Sequence, residues 1–322
     1  MPKRPGFPAV RSLAPACLAG AALLLASGCS PASSPAPGGA GPAGAASAVK
    51  ITAIGAENEY ASVISQVGGK YVQASSIMSN PNTDPHTFEA SPAVARQMSA
   101  ARLIVQNGAG YDDWAATIEN AAPEAGRTVI NVQQLLGLAA SVANPHLWYQ
   151  PSTMPAVASA VAAGLARIDP GHAAYYRANA AAFTTSLGAW TRAIAAFRAA
   201  YPGTPVATTE PVADYLLAAA GADNLTPWQF QADVMNGADP APQDAATQQA
   251  LFTQHKVKVF VYNQQVTDAL TESYIALAKR NGIPVVGVYE TMPAGYGYQG
   301  WMLAEVSALR KAVADRVSTE KL

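Results

Sequence analysis

From Val49 onward the chain alternates two hydrophobic patterns. Short runs rich in β-branched residues (VKITAIG, YVQASSIM, RLIVQNG) are separated by stretches whose apolar positions recur at helical spacing (NEYASVISQVGG, SPAVARQMSA, DDWAATIENA). After Pro151 the strand signal stops, and Pro155 to Ile168 followed by His172 to Ala200 read as alanine-rich helices with few glycine or proline interruptions. The alternation then resumes with TPVATTE, PVADYLLAAAG, a loop region through Pro242, DAATQQALFTQ, KVKVFVYN, TDALTESYIALAKRNG and IPVVGVYE, and it closes on a helix from Gln299 to Val317. This pattern predicts an α/β protein of two lobes, residues 49–170 and 202–322, joined by one long rigid helix over residues 171–201. A continuous helix of about 28 residues would be roughly 42 Å long and would resist wide hinge opening.

The first residues carry a different signal. Lys3, Arg4 and Arg11 precede an apolar run from Ala14 to Ala26 that is too short to span a bilayer comfortably, and Ser27-Gly28-Cys29 follows it. Residues 1–28 therefore read as an export signal. The stretch Leu25 to Cys29 resembles a bacterial lipobox, with Ala26 where leucine is commoner, so Cys29 is the expected site of lipidation; an ordinary secretory peptide is the alternative. Only Ser, Pro, Ala and Gly occur between Ser30 and Ser47, a composition that cannot bury a core, and residues 29–48 read as a flexible tether. The expected location is the outer side of the cytoplasmic membrane, at the cell surface or in the periplasm, with the body held by its lipid.

Composition narrows the chemistry. With 322 residues, half of them apolar, the chain can bury a sizeable core. Its 20 basic and 21 acidic side chains nearly balance, which leaves no electrostatic footprint for nucleic acid. Cys17 would leave with the signal and Cys29 would be acylated, so neither a disulfide nor a thiolate metal site is expected. Any metal chemistry would then use nitrogen and oxygen donors.

Two of the four histidines sit in matching tripeptides, Asp84-Pro85-His86 and Asn144-Pro145-His146. Proline fixes its own φ and biases its predecessor toward extended backbone, so each imidazole stands on a stiff stalk, as a preorganised metal ligand would. Asp84, Glu89 and Asn144 are short polar neighbours able to hold the second ring nitrogen. Glu210 ends a predicted strand before Pro211, where its carboxylate either enters a cleft or stabilises a helix terminus. Glu290 ends the last predicted strand in the equivalent place, with Asn263, Gln264 and Asp268 as alternatives from a neighbouring strand. His172 and His255 read as surface or structural residues.

The segments NTDPHTFEASPAVARQMSAARLIVQNGAGYDDW, NPHLWYQP, IDPGHAAYYRANAAAF, TTEPVADYLLAAAG and VKVFVYNQQ, in that order, give the chain a resemblance to the metal-binding family of solute receptors for ATP-binding-cassette importers, which includes manganese and zinc receptors. The resemblance covers most of the body. It implies two α/β lobes on a single long helix, with one metal ion between them, and carries ligand roles onto His86, His146 and Glu210. At the fourth position many relatives have aspartate in a Thr-Asp-Ser stretch. Here Tyr289-Glu290-Thr291 stands in its place, and Glu290 is the better donor of the two residues that align, with water or Asn263 as substitutes.

Two imidazoles and two carboxylates suit Mn2+ or Zn2+, and Fe2+ as well. The expected function is that of an extracytoplasmic receptor, a monomer with no enzymatic activity, which hands its ion to a membrane permease. The alternatives are a receptor of the same architecture for an organic ligand or metal chelate, suggested by the aromatic loop Tyr296 to Trp301, and an exported metallohydrolase. The hydrolase is opposed by the lack of a His-Glu-x-x-His helix or a Gly-x-Ser-x-Gly elbow. No feature of the chain supports a purely adhesive role.

Overall fold

The computed structural model describes residues 50–82 and 84–322. The expected signal peptide, Cys29 and the tether lie outside the described residues.

In the N-terminal lobe β1 (Ile51–Glu57), α1 (Asn58–Gly68), β2 (Val72–Met78), α2 (Pro92–Ser99), β3 (Leu103–Gln106), α3 (Asp113–Ala121), β4 (Thr128–Asn131), α4 (Val132–Leu135) and α5 (Thr153–Ile168) follow one another. The strands form a parallel sheet in the order β2-β1-β3-β4. Next come α6 (Ala173–Ser186) and α7 (Gly188–Ala200). The C-terminal lobe contains β5 (Thr204–Thr208), α8 (Asp214–Ala219), β6 (Ala222–Asn224), α9 (Trp228–Met235), α10 (Pro242–Thr253), β7 (Val259–Asn263), α11 (Ala269–Arg280), β8 (Val285–Val288) and α12 (Tyr298–Asp315). Its parallel sheet repeats the same topology, β6-β5-β7-β8. In each sheet the winding direction reverses beside the first strand, and the crevice outside the strand ends at such a reversal is where open α/β sheets bind their ligands.

The strand runs read from the sequence are strands here, because parallel strands covered on both faces need apolar residues at nearly every position: β3, β7 and β8 are buried throughout. Two edge strands, β4 and β6, escaped the hydrophobic pattern because they are short and only partly buried. The expected loop before Pro242 holds β6 and α9. Close packing of the C-terminal tail depends on Gly287, where a Cβ would lie 2.2 Å from the Glu320 carbonyl oxygen. Bare backbone there lets the Gly287 N–H reach the Thr319 carbonyl at 2.9 Å.

The single long helix expected over residues 171–201 is not what the structure contains. The helix breaks at Leu187, whose N–H turns back to Thr184 rather than to the residue four earlier. Ser186 Oγ donates to the Phe183 carbonyl at 2.6 Å and so competes with the helical ladder, while Gly188 is a poor helix former. The break lets each half follow its own lobe: α6 packs on α5 and α1, and α7 packs on α12 and α8. Sequence periodicity carries straight through such a break because the apolar spacing on either side is unchanged.

One hydrophobic core nevertheless runs through both lobes. Trp148 and Tyr149 from the first lobe, Trp190 from α7, and Tyr298 and Trp301 from α12 belong to it and are almost completely buried. At about 1.5–3 kcal/mol for each large side chain, this shared core opposes wide separation of the lobes. Among the described residues no helix is long and apolar enough to cross a membrane.

Candidate metal centre

The two X-Pro-His tripeptides fold alike. Asp84 Oδ1 accepts from the His86 N–H at 2.9 Å, and Asn144 Oδ1 accepts from the His146 N–H at 3.0 Å. Each is an Asx turn, in which a short side chain captures the N–H two residues on. The second turn is braced further, since Asn107 Nδ2 donates to the Pro145 carbonyl at 2.8 Å while Tyr60 Oη donates to Asn107 Oδ1 at 2.6 Å. Asn107 follows the buried end of β3, so the His146 stalk rests on the sheet itself. Asn144 Oδ1 also lies 2.8 Å from His146 Nδ1, the support expected of it. Glu89, another residue considered for that task, is exposed.

Glu290 lies just beyond β8 and is completely buried. Gln265 Oε1 accepts from the N–H groups of Glu290 and Thr291, both at 2.7 Å, which fixes the turn that presents the carboxylate. One oxygen, Oε2, is 3.2 Å from His86 Nε2 and 3.2 Å from His146 Nε2. Ligand atoms of these three residues all fall within 4.8 Å of one another. Tetrahedral donors about 2.1 Å from a shared ion stand about 3.4 Å apart, so the spacing suits one small divalent ion.

Glu210 approaches the same point from the β5–α8 connection and is also buried. It lies outside the tight group of three and is joined to it through Asn263. Asn263 Nδ2 donates to Glu210 Oε2 at 3.2 Å and to Glu290 Oε1 at 2.5 Å. Glu210 Oε1 is buried without a hydrogen-bond partner. Of the alternatives, Asn263 bridges the two acids, Gln264 accepts from Tyr262 Oη at 2.8 Å, and Asp268 caps α11 through the Thr271 N–H.

Sequence reasoning missed Tyr111. Its Oη donates to Glu290 Oε2 at 3.0 Å, and its ring meets those of His86 and Trp148 edge to face at 5.2 and 5.1 Å. Trp148 in turn packs against His146 with ring centroids 5.4 Å apart. His146 is thus walled by aromatic rings and shielded from water. A local cue was present in the run Gly108-Ala109-Gly110, whose three residues all adopt left-handed backbone and turn the chain sharply to deliver Tyr111. At Gly108 any Cβ would strike Asn131 Oδ1, 2.6 Å away.

Burial and charge compete across the site. Burial alone would push the Glu290 carboxyl up, but the imidazoles of His146 and His86, each with Nε2 3.2 Å from Oε2, outweigh it and hold the group well below the usual carboxylate range. Burial lowers His146, and it prevails there over the attraction of Glu290. His86 is less enclosed, with 20 % of its side chain exposed, and the Glu290 carboxylate overcomes the opposing effect of burial and raises it. Burial, with the Glu290 charge nearby, pushes Glu210 well up. Two further buried acids of the first lobe, Glu57 and Glu59, are driven up chiefly by burial, with neighbouring carboxylates adding to the effect. A dication entering this ring of acids would relieve their mutual repulsion. Of the three grouped residues, His86 alone keeps part of its side chain exposed.

The family model described as "Zinc-uptake complex component A periplasmic" matches residues 56–312. The iron-binding protein YfeA of Yersinia pestis is 26 % identical over 119 residues, 35 % of this chain and 38 % of that protein. A putative metal-binding protein of Treponema pallidum (strain Nichols) is 24 % identical over 149 residues, 41 % of this chain and 47 % of that protein. The chain therefore spans less than half the length of these curated relatives. The fold is shared more widely. An Mn-bound periplasmic metal binding protein from Candidatus Liberibacter asiaticus superposes with a TM-score of 0.68 at 16 % identity, covering 82 % of this chain and 100 % of the other. The protein FpvC from Pseudomonas aeruginosa, in complex with Mn2+, gives a TM-score of 0.69 at 20 % identity, covering 83 % and 100 %.

Proposed function

This chain belongs to the family of the periplasmic zinc-uptake complex component A, and from that premise we propose that it captures a divalent transition-metal ion between its lobes and passes it to an ATP-binding-cassette permease. The observation that carries the reading is the single Glu290 oxygen equidistant from two imidazole nitrogens. His86, His146 and Glu290 would hold the ion, and Glu210 would complete the shell through its unpartnered oxygen. This donor set accommodates Mn2+ or Zn2+, and Fe2+ as well. Both imidazoles belong to one lobe and both carboxylates to the other, so the bound ion ties the lobes together, and a permease that pulls them apart releases it. Coordination is the only chemistry required, which gives the chain a receptor's role and no reaction to catalyse.

Export and a lipid on Cys29 would hold this monomeric body at the membrane where such a permease lies. A second reading, in which the ion arrives within a small organic chelate, draws support from a cavity of about 260 Å³ beside the site, lined by Phe88, Asp84 and Thr291 among others.

Calorimetric titration of metal-stripped protein with Mn2+ and with Zn2+ tests the proposal. One equivalent should bind, His86→Ala and Glu290→Gln should each abolish tight binding, and His255→Asn, which suits that residue's left-handed backbone, should change nothing. Equal affinities for His86→Ala and His255→Asn would remove the central claim. Tight binding seen only with a chelated ion would favour the second reading.

A further inference from the structure

The backbone on both sides of Glu290 is held by the opposite lobe. Asn58, the first residue of α1, donates from Nδ2 to the Met292 carbonyl and accepts at Oδ1 from the Met292 N–H, each at 2.9 Å. A primary amide facing a peptide group in this way makes the paired bonds that two peptide groups exchange in an antiparallel sheet. On the other flank Tyr149 Oη donates to the Tyr289 carbonyl at 2.8 Å. A similar bond guards the second acid, since Asn144 Nδ2 donates to the carbonyl of Pro211, next to Glu210, at 2.8 Å.

Asn58 touches none of the proposed ligands. What it grips is the segment that carries one of them. Because His86 and His146 belong to the first lobe and Glu290 to the second, the three donors converge only while this segment lies against α1. We propose that Asn58 is a positioning residue that latches the Glu290 segment onto the N-terminal lobe, so that its grip sets how long the ion is retained. The inference rests on the reading of His86, His146 and Glu290 as ligands of the cargo. The latch forms as the lobes come together around the ion, so its loss acts on escape rather than on encounter. Two neutral hydrogen bonds in a half-buried setting correspond to about a tenfold effect.

Stopped-flow release of Zn2+ into excess chelator, with association rates measured separately, tests the latch in wild type, Asn58→Ala, Asn58→Asp and Gln299→Ala. Asn58→Ala should release the ion about tenfold faster with an association rate within about twofold of wild type. Asn58→Asp should also release faster, because a carboxylate oxygen would then face the Met292 carbonyl, and it carries the test if the alanine variant does not fold. Gln299→Ala removes an exposed contact with Gln66, about two turns further along α1, and should release the ion at the wild-type rate. Wild-type release from both Asn58 variants would overturn the latch while leaving the ligand reading intact, and so would equal acceleration by Gln299→Ala. A wild-type protein that takes up no Zn2+ or Mn2+ would overturn the ligand reading and the latch with it.

Discussion

Asn144 Oδ1 lies 2.8 Å from His146 Nδ1 while the Nδ2 of the same amide is committed to the Pro211 carbonyl. A carbonyl oxygen can only accept, so Nδ1 carries a ring proton, and Nε2, on giving up its contact with Glu290, presents its lone pair to an entering ion. Removing such support from a metal-ligating histidine typically costs about ten- to a hundredfold in affinity. Asn144→Ala should show a loss of that size by calorimetry. Asn144→Asp keeps the acceptor and should lose less, and equal losses in the two variants would show that ring orientation is set elsewhere.

Tyr111 should matter through its hydroxyl alone. Tyr111→Phe keeps the ring packed against His86 and Trp148 but removes the donor to Glu290 Oε2, a hydrogen bond to a charged group worth about 1.5–3 kcal/mol. Zn2+ affinity should fall by about ten- to a hundredfold with an unchanged near-ultraviolet circular dichroism spectrum. An unaltered affinity would show that the carboxylate needs no such partner once an ion is bound.

Acid should expel the ion. His86 is raised from its ordinary value of 6.5, so protons compete with metal for this ligand already above that pH. Competition titrations should show affinity falling steadily from about pH 8 to about pH 5, and a flat profile would exclude imidazole ligation. In the metal-free protein the signs differ between the partners. The raised His86 contributes stability that is fully present below 6.5 and lost as pH rises through its folded value. Glu290, depressed from 4.5, contributes stability present above 4.5 and lost as pH falls through its folded value. Their pairing should therefore support the metal-free fold most between 4.5 and 6.5.

Glu305 provides a test away from the ligands. Burial pushes its carboxyl from 4.5 up to about 8, even though Trp301 Nε1 donates to Oε1 and Tyr149 Oη lies 3.3 Å from it. An acid raised on folding holds its proton more tightly in the folded state, so its ionisation destabilises the fold progressively from 4.5 until the elevated value is passed. Glu305→Gln keeps the acceptor and removes the titration. Its melting temperature in the metal-free state should match wild type near about pH 5 and exceed it by a margin that grows toward about pH 8. A margin that does not vary with pH would show that Glu305 does not ionise in this range.

Much of this architecture is written in local chemistry. Buried parallel strands demand unbroken apolar runs, which is why β1, β3, β5, β7 and β8 could be read from the chain, and the X-Pro-His tripeptides announced His86 and His146 through the stiffness of their own backbone. The break at Leu187 escaped because it depends on a serine hydroxyl bonding its own helix and on two lobes claiming opposite ends of one stretch. Neither leaves a mark on hydrophobic spacing.

By itself the sequence determined the alternating α/β pattern, the two stiff histidine stalks and the placing of Glu210 and Glu290 after strands, since each follows from bonds and packing within a few neighbouring residues. Only the tertiary structure decided that Glu290 Oε2 meets both imidazoles, that Glu210 joins them through Asn263, and that Tyr111 and Asn58 steady the arrangement. These are meetings between segments as far as 234 residues apart, fixed by how two sheets pack around a common core, and no periodicity along the chain encodes a distance across space.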